Sequence, residues 1–405
     1  SRGLVGSEMC IRDRAWLDLF ESVVGTLELE PEDLSRQFAH RAYFDMGAVG
    51  DIFEAMSMPR DLLEVLIGIE GGADRPTFRP SMSVMRHLPR MSRMGWRLAR
   101  YHRELDDQVP GLQVELARLD AVDVGSCSDE DLATHLGELE SVMRRVAFAN
   151  IVAPLLFNAY SAMLRRRLAK RGVDLEGIDF GAGQAGLEEY DPTPQLRELA
   201  RRYAELDADT QARVSKGEAE LVPGMDAFLE RFGHVSDSGN DFSHVPWRED
   251  PSRLAALMTS LASSPEPTAD GAELPSLNGL DRRLADRTAR YRLERERVSY
   301  TYTRGYSHFR PVALEIARRL QERELIDEVD DVFGLTREEM EAALLDGRDD
   351  VRSLSAQRRS EMERLADIEM PEVIFGDAFE PTPPADPDHR LQGTPSSRGV
   401  VQAVA

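Results

Sequence analysis

The amino-acid sequence predicts a mostly α protein: an irregular multi-helix domain, then a linker and the first strand of a truncated α/β domain. Charged residues make up 30% of the chain and aromatic residues only 7%, a composition typical of long amphipathic helices. Apolar residues also recur at spacings of three and four along several segments. Strand signals are few, and the best of them covers residues 41–46.

The first long helix predicted by this periodicity begins after residue 127. Ser128 and Asp131 form a capping box, and the apolar residues that follow repeat at helical spacing as far as Gly172. Arginine and lysine are concentrated near its end, where the helix dipole favours positive charge. Pro154 lies midway and is expected to break or kink the helix, because proline lacks the backbone N–H.

Further helices are predicted downstream. Thr193 is the predicted cap of the first of them, with Pro194 at the first helical position, and Pro311 restarts a helix after a long one. Thr336 begins a second capping box. The predicted ranges are 193–206, 280–308, 311–323 and 336–345.

The two ends of the chain predict the domain boundaries. Residues 1–14 resemble the translation of a transposon adapter used in sequencing libraries and are set aside, with a genuine helical start as the alternative. Residues 15–376 are the predicted helical domain, and the proline-rich residues 377–390 are a linker. Residues 391–405 contain small residues and then an alternating apolar run, as at the start of a new domain. The chain is therefore expected to be a fragment.

Charge and cysteine content narrow the class of protein. With 405 residues and 41% apolar content, the chain is long enough for two or three domains with hydrophobic cores. A net charge of −23 argues against nucleic acid as a partner. Once residues 1–14 are set aside, Cys127 is the one cysteine, so neither an intrachain disulfide nor a zinc site is expected. The sequence has no secretory signal and no long uninterrupted apolar run, which predicts a cytoplasmic protein without membrane contact.

Candidate site residues are concentrated between residues 232 and 251. This block combines glycines, which permit unusual backbone angles, with the apolar Trp247 and several side chains that titrate or form hydrogen bonds. Those side chains are His234, Asp237, Asn240, Asp241 and His244. Such a composition indicates either a binding site or a rigid buried turn.

His234 has two interpretations. In the functional one it is a general base or a polar contact to a ligand, and Asp237 or Asp241 orients its ring. In the structural one, the aspartates and Asn240 satisfy backbone amides of the loop. A metal site made of these residues and His244 would lack a helical pair at i, i+4 spacing, and no metal is expected.

The C-terminal residues resemble the phosphoenolpyruvate-utilising, pyruvate-water-dikinase-like enzyme family. The pattern Gly393-x-Pro395-x-Ser397-x-Gly399 resembles the opening of the swivelling phosphohistidine domain of these enzymes. Ala403 stands where the family usually has another glycine.

Internal segments agree with this resemblance. The block that starts at Gly233-His234 and ends at residues 247–251 is similar to a block of rifampicin phosphotransferases. The family usually has an arginine after the histidine and a glutamate later in the block, whereas this chain has Val235 and Asn240. Near the two ends of the helical region, residues 41–45 and 58–59 resemble the start of the family's central domain, and residues 331–336 resemble the turn before the histidine domain.

The layout is closest to rifampicin phosphotransferase, because a long helical region precedes the histidine domain. The resemblance implies an ATP-grasp domain and a phosphohistidine domain in the same parent chain, with the phosphohistidine beyond Ala405. It also implies ATP and Mg²⁺ in the parent, none bound by the fragment, and a small-molecule acceptor held by the helical domain. Phosphate would pass from ATP to the histidine and then to the acceptor, and the fragment alone is expected to be inactive.

Three arginines are predicted to stabilise the phosphoryl group in transit. Arg297, Arg304 and Arg310 lie on or near one helix, and the seven-residue step between the first two places them on one face. The alternative is a solvated or salt-bridged helix face. The predicted substrate-binding residues are therefore His234, Asp237, Asn240, Asp241, Arg297, Arg304 and Arg310.

Two other functions remain open. A relative of phosphoenolpyruvate synthase with pyruvate as acceptor would need a further barrel domain. A helical interaction scaffold would have lost catalysis. A histidine in a glycine-rich loop beyond Ala405 would favour either enzyme over the scaffold.

Overall fold

The computed structural model describes residues 4–24, 30, 33–38, 41–55, 88–173, 186–236, 241–263, 277–365, 368, 370 and 374. Within these ranges the fold is mostly α, as predicted. The first helices are α1 (Leu4–Val24), α2 (Met46–Ala55), α3 (Leu88–Asp120) and α4 (Asp129–Ala169). Short helices follow: α5 (Thr193–Ala204), α6 (Ala208–Val214), α7 (Met225–Phe232) and α8 (Ser252–Ser263). The last are α9 (Gly279–Ser307), α10 (Phe309–Glu322), α11 (Arg337–Asp346) and α12 (Val351–Leu365).

A two-stranded antiparallel sheet is formed by β1 (Ser35–Phe38) and β2 (Arg41–Phe44). The second strand confirms the strand predicted at residues 41–46, although it ends two residues earlier. Asp45 ends the strand because its Oδ1 accepts a hydrogen bond of 3.0 Å from the backbone N of Ala48, in the first turn of α2.

The main hydrophobic core is built around α4 and α9, with α1, α3, α10 and α11 packed against them. The two central helices approach closely at Gly305, where an added Cβ would overlap the Sδ of the fully buried Met143. A glycine at this point of α9 therefore has a packing reason, because any larger residue would need Met143 to move.

A second core lies in the segment from α5 to α8. Its buried residues include Phe228, Phe232 and Trp247. The ring of Phe228 contacts both of the others, with centroids 5.4 Å from Phe232 and 5.9 Å from Trp247. Tyr300 of α9 packs against this cluster as well. The helix α9 thus contributes to both cores and positions one relative to the other.

The observed helix boundaries can be compared with the helix starts and breaks predicted from the sequence. The capping boxes at Ser128 and Thr336 are confirmed, each with reciprocal hydrogen bonds between the cap and the third helical residue. Pro154 was expected to break or kink the first of these helices, but α4 continues through it from Asp129 to Ala169. Thr193 is the first residue of α5 and forms no side-chain cap; its backbone N donates to Asp191 Oδ1 at 2.9 Å.

The helix α4 is long and apolar enough, by length and composition alone, to cross a membrane. No long uninterrupted apolar run was predicted from the sequence. A central helix of a water-exposed protein passes the same test, and 44% of the most apolar part of α4 is buried against the rest of the chain. Its packing against α9, α1 and α3 accounts for the apolar content.

Residues 4–14, which resemble an adapter translation, form the first half of α1. Ile11 belongs to the main core, and the buried Asp13 accepts hydrogen bonds from Ser35 and from Arg12. The origin of this segment stays a prediction. The predicted linker at residues 377–390 and the predicted strand at 391–405 lie outside the described residues.

Candidate functional site

Two backbone hydrogen bonds hold His234 in its position after α7. The N of Arg248 donates to the O of Gly233, and the N of Trp247 donates to the O of Val235, both at 2.9 Å. A Cβ on Gly233 would lie 2.9 Å from the Cβ of Arg248, so glycine permits this close approach. The two ends of the polar block are therefore fixed to each other by backbone contacts.

His234 is buried, with 4% of its surface exposed, and its ring meets that of Tyr300 edge to face at 5.0 Å. Burial lowers the pKa of His234 to about 3, and the charges of Arg248 and Arg304 act in the same direction. The ring is therefore neutral at pH 7. Neither ring nitrogen has a hydrogen-bond partner among the described residues.

The neutral ring bears on the functions predicted for His234, which stay predictions. A base whose pKa is about 3 has a small driving force for accepting a proton at neutral pH, so the general-base role loses support. A polar contact to a ligand stays a prediction, because both ring nitrogens are buried and lack a hydrogen-bond partner among the described residues.

The other predicted residues of the block have separate positions. Asp237 and Asn240 lie outside the described residues. Asp241 forms a turn, since its Oδ1 accepts from the backbone N and the Oγ of Ser243 at 2.9 and 2.6 Å. It does not hydrogen-bond the His234 ring, and its Oδ2 lies 3.8 Å from Nε2 of the exposed His244. This agrees with the structural interpretation of Asp241.

Arg310 is occupied by protein groups. Its Nε donates to both carboxylate oxygens of Glu249, at 2.9 and 3.1 Å, and its Nη1 donates to the backbone O of Phe242 and Ser243. The guanidinium also lies over the ring of Phe333. Arg310 is 8% exposed, so the structure places it as a clamp on the polar block.

A cleft of about 640 Å³ opens beside this block. Its walls come from α3, from the turn before α5, from α7 and from α9. The residues that line it are Gln113, Leu116, Ala117, Glu189, Tyr190, Ala227, Glu230, Arg231, Tyr300, Thr301 and Arg304. Its volume is in the range of about 300–1,000 Å³ that is usual for small-molecule sites.

Hydrogen bonds between neighbouring walls hold the cleft in shape. Gln113 of α3 donates to Thr301 Oγ1 of α9 at 2.9 Å, and the hydroxyl of Tyr300 donates to the backbone O of Arg231 at 3.0 Å. The guanidinium of Arg231 in turn donates twice to the backbone O of Glu189. Each wall is therefore fixed by a contact to the next, as a preformed site requires.

Arg304 is exposed at the cleft, and its guanidinium forms no hydrogen bond or ion pair with any described residue. Arg297 lies on the same side of α9. Burial raises the pKa of Tyr190, and the positive charge of Arg297 opposes this rise only in part. The Nη1 of Arg297 is 3.7 Å from Glu294 Oε1, and its Nε is buried without a hydrogen-bond partner in the described part of the chain. Of the three predicted arginines, only Arg304 faces the cleft with a free guanidinium.

A pair that the sequence analysis did not identify lies next to this arginine. The Nδ1 of His308 is 2.8 Å from Oδ1 of Asp120, the last residue of α3. This hydrogen bond lowers the pKa of Asp120, and the charges of Arg304 and Arg248 act in the same direction. An acidic residue at a helix C-terminus is unfavourable for the helix dipole, and this was the signal available in the sequence.

Among the residues that the structure describes, no group of three His, Cys, Asp or Glu side chains is arranged to hold a metal ion. The charged and polar groups near the cleft include arginines and imidazoles. These groups recognise anionic oxygen atoms by charge-assisted hydrogen bonds.

Comparison with known proteins gives one family. Residues 181–299 match the model of the rifampicin phosphotransferase fourth domain, a region that includes α5 to α8, the polar block and most of α9. No curated protein matches the chain. The matched region contains His234 and five of the residues that line the cleft, which are Glu189, Tyr190, Ala227, Glu230 and Arg231. The match supports a phosphoenolpyruvate-utilising, rifampicin phosphotransferase-like family for the region that it covers.

Proposed function

We propose that the helical domain binds the acceptor of a phosphoryl transfer, in the cleft between α3, α7 and α9. The parent would be an ATP-dependent phosphotransferase of the rifampicin phosphotransferase type. The observation that carries this proposal is the free guanidinium of Arg304 in a preformed cleft of about 640 Å³. A phosphoryl group in transit carries charge on several oxygens, and an arginine without a protein partner can pair with them.

The size of the cleft favours a large acceptor. About 640 Å³ is a volume suited to a drug-sized molecule, whereas pyruvate would leave most of it filled with water. Tyr190, Tyr300 and Leu116 provide flat or apolar surface, and Gln113 and Thr301 provide polar groups. This combination fits an acceptor with an apolar body and a few hydroxyl groups, which favours the rifampicin phosphotransferase type over the phosphoenolpyruvate synthase type.

His234 would contribute as a neutral polar group. Its ring is next to Tyr300, which lines the cleft, and its low pKa keeps it uncharged at neutral pH. An uncharged imidazole does not compete with the arginines for anionic oxygens. Because its nitrogens are buried and it does not line the cleft, it would act by packing against Tyr300.

The remaining parts of the reaction would come from other domains of the parent chain. ATP and Mg²⁺ would bind to the ATP-grasp domain, and a swivelling histidine would carry the phosphoryl group to the cleft. Phosphate would be transferred when an acceptor oxygen forms a bond to phosphorus and the bond between phosphorus and the histidine nitrogen breaks. The described helices would hold the acceptor for this step and exclude water from it.

The parent enzyme and ATP labelled at the β-phosphoryl group test this proposal. The enzyme is incubated with a rifamycin-type macrocycle and, separately, with pyruvate, and the labelled products are separated by chromatography. Label on the macrocycle supports the proposal, and label on pyruvate supports the synthase alternative. An enzyme that neither consumes ATP nor becomes labelled would support the interaction scaffold.

A further inference from the structure

The cleft between α3, α7 and α9 is lined by two side chains of opposite charge, Glu230 of α7 and Arg304 of α9. Both are exposed, and they form no ion pair with each other or with any residue in the described ranges. The other two charged residues of the lining are joined: the guanidinium of Arg231 donates to the backbone O of Glu189 and lies 3.8 Å from its carboxylate. The described lining therefore presents one carboxylate and one guanidinium to a ligand.

The stability of α7 does not account for Glu230. The residue lies in the last turn of this helix, where the partial negative charge of the helix C-terminus disfavours a carboxylate. Asp226 precedes it by four residues, so two like charges are neighbours on one side of the helix. Both effects are unfavourable, and a contact outside the helix explains the carboxylate better than a role in the fold.

A ligand that fills the cleft would remove water from the carboxylate of Glu230. A neutral ligand would leave the cost of this desolvation without compensation, and an anionic group would add repulsion. A protonated amine would instead form a charge-assisted hydrogen bond with the carboxylate. Glu230 therefore selects for a positive charge on the part of a ligand that lies against α7.

The two charged groups lie on different walls of the cleft. Because Glu230 and Arg304 do not pair with each other, each can engage a different part of a ligand. Leu116, Tyr190 and Ala227 also line the cleft and provide surface for the apolar body of the same ligand. The cleft is thus complementary to a molecule that combines an apolar body with a cationic nitrogen.

We infer that the acceptor carries a protonated amine, which the carboxylate of Glu230 binds, in addition to the hydroxyl group that receives phosphate. The class of acceptor is then a drug-sized hydroxyl compound with an apolar body and a basic nitrogen. The word acceptor rests on the proposed function, but the preference of the cleft for cationic ligands does not. Glu230 determines specificity and takes no part in the transfer itself.

Matched pairs of probes test this inference on the 405-residue chain. The first pair is a rifamycin-type macrocycle with a secondary amine and the same macrocycle with that amine acetylated, which removes the charge. The second pair, naphthylethylamine and its acetylated form, repeats the comparison with a smaller apolar body. Isothermal titration calorimetry should show that at least one amine binds about tenfold or more tightly than its acetylated form, the effect of one charge-assisted hydrogen bond. Added salt should reduce this preference.

Variants of Glu230 assign the preference to its carboxylate. Glu230→Gln should abolish the preference for the amine, and Glu230→Lys should reverse it, because lysine repels the amine. Glu363→Gln is the matched control: Glu363 is also exposed and without a partner among the described residues, but it lies on α12, which forms no wall of the cleft. This variant should keep the full preference.

The inference is overturned if no probe binds, if each amine binds only as tightly as its acetylated form, or if Glu230→Gln keeps the preference of the control. Its failure is distinct from that of the proposed function. Labelling of an acceptor by a parent enzyme without any preference for amines would contradict the inference alone. A preference that depends on Glu230, in a parent that labels no acceptor, would contradict the proposed function alone.

Discussion

The Nδ1 of His308 lies 2.8 Å from Oδ1 of Asp120, which joins the break between α9 and α10 to the end of α3. This contact connects the end of α9, which forms one wall of the cleft, to α3, which forms another. Since Arg304 precedes His308 by one helical turn, the same contact also fixes the arginine that the proposed transfer requires.

Asp120→Asn should weaken this connection. The His308 hydrogen bond lowers the pKa of Asp120 in the folded protein. Its contribution to the free energy of unfolding is therefore fully present above the unfolded pKa of about 3.9. That contribution is lost as the pH falls through the lower pKa of the folded state. Because the carboxylate is partly exposed, the expected loss at pH 7 is about 1 kcal/mol. Urea unfolding at pH 7 and at pH 2.5 checks this, and the difference between the two proteins should shrink at the lower pH.

His234→Gln should reduce the acid sensitivity of the fold. The folded pKa of His234 is about 3, below the unfolded value of about 6.5, so the unfolded state binds a proton first as pH falls. The unmodified chain should therefore lose about 2–3 kcal/mol from this group between pH 7 and pH 4.5.

The His234→Gln variant should not lose these roughly 2–3 kcal/mol of stability between pH 7 and pH 4.5. It can nevertheless be less stable than the unmodified chain at pH 7. His244→Gln serves as the control because His244 is exposed in the same block. The account of His234 would be wrong if all three proteins lost the same stability between pH 7 and pH 4.5 in urea unfolding.

Gly305→Ala should destabilise the fold by about 1–3 kcal/mol, because the new Cβ would overlap the buried Met143. Gly111→Ala is the matched control: Gly111 lies inside α3 with no atom within 4 Å of its added Cβ. There alanine should stabilise the helix by about 0.5–1 kcal/mol. Thermal unfolding of the two variants should move in opposite directions, and a neutral Gly305→Ala would show that α4 and α9 are not packed this closely.

Arg310→Lys should loosen the polar block without unfolding the domain. Lysine keeps the charge beside Glu249 but cannot donate at the same time to the carbonyls of Phe242 and Ser243. Hydrogen exchange measured by mass spectrometry should become faster in residues 241–248. Unchanged exchange there would contradict the clamp role.

Local signals in the sequence were sufficient for much of the fold. The capping boxes at Ser128 and Thr336 depend on residues three positions apart, and both were predicted with their helices. Pro154 was predicted to break or kink α4, and the helix is not broken there. Its neighbours Ala153 and Leu156 are buried in the main core, and this burial stabilises a continuous helix.

The site was only partly predictable. The glycine, histidine and tryptophan of the polar block identified His234, and helical spacing identified Arg304. Asp120 and His308 are far apart in the sequence, and no spacing rule connects them. Arg310 has the same residue type and nearly the same sequence position as Arg304, but its burial against Glu249 gives it a structural role that only the folded chain reveals.

If the acceptor binds in the cleft, a side chain that fills the cleft should block acceptor phosphorylation. Ala227 lines the cleft and is exposed on α7, so Ala227→Trp would occupy it without entering a core. Ala162→Trp, at an exposed position on α4 away from the cleft, is the control. Both are made in the parent enzyme, and phosphorylation of its histidine and of its acceptor are measured separately.

Ala227→Trp should reduce acceptor phosphorylation about a hundredfold or more and leave histidine phosphorylation unchanged, since only the second transfer needs the cleft. The Ala162→Trp control should retain both reactions. Unchanged acceptor phosphorylation in the Ala227→Trp enzyme would contradict the claim and place the acceptor elsewhere.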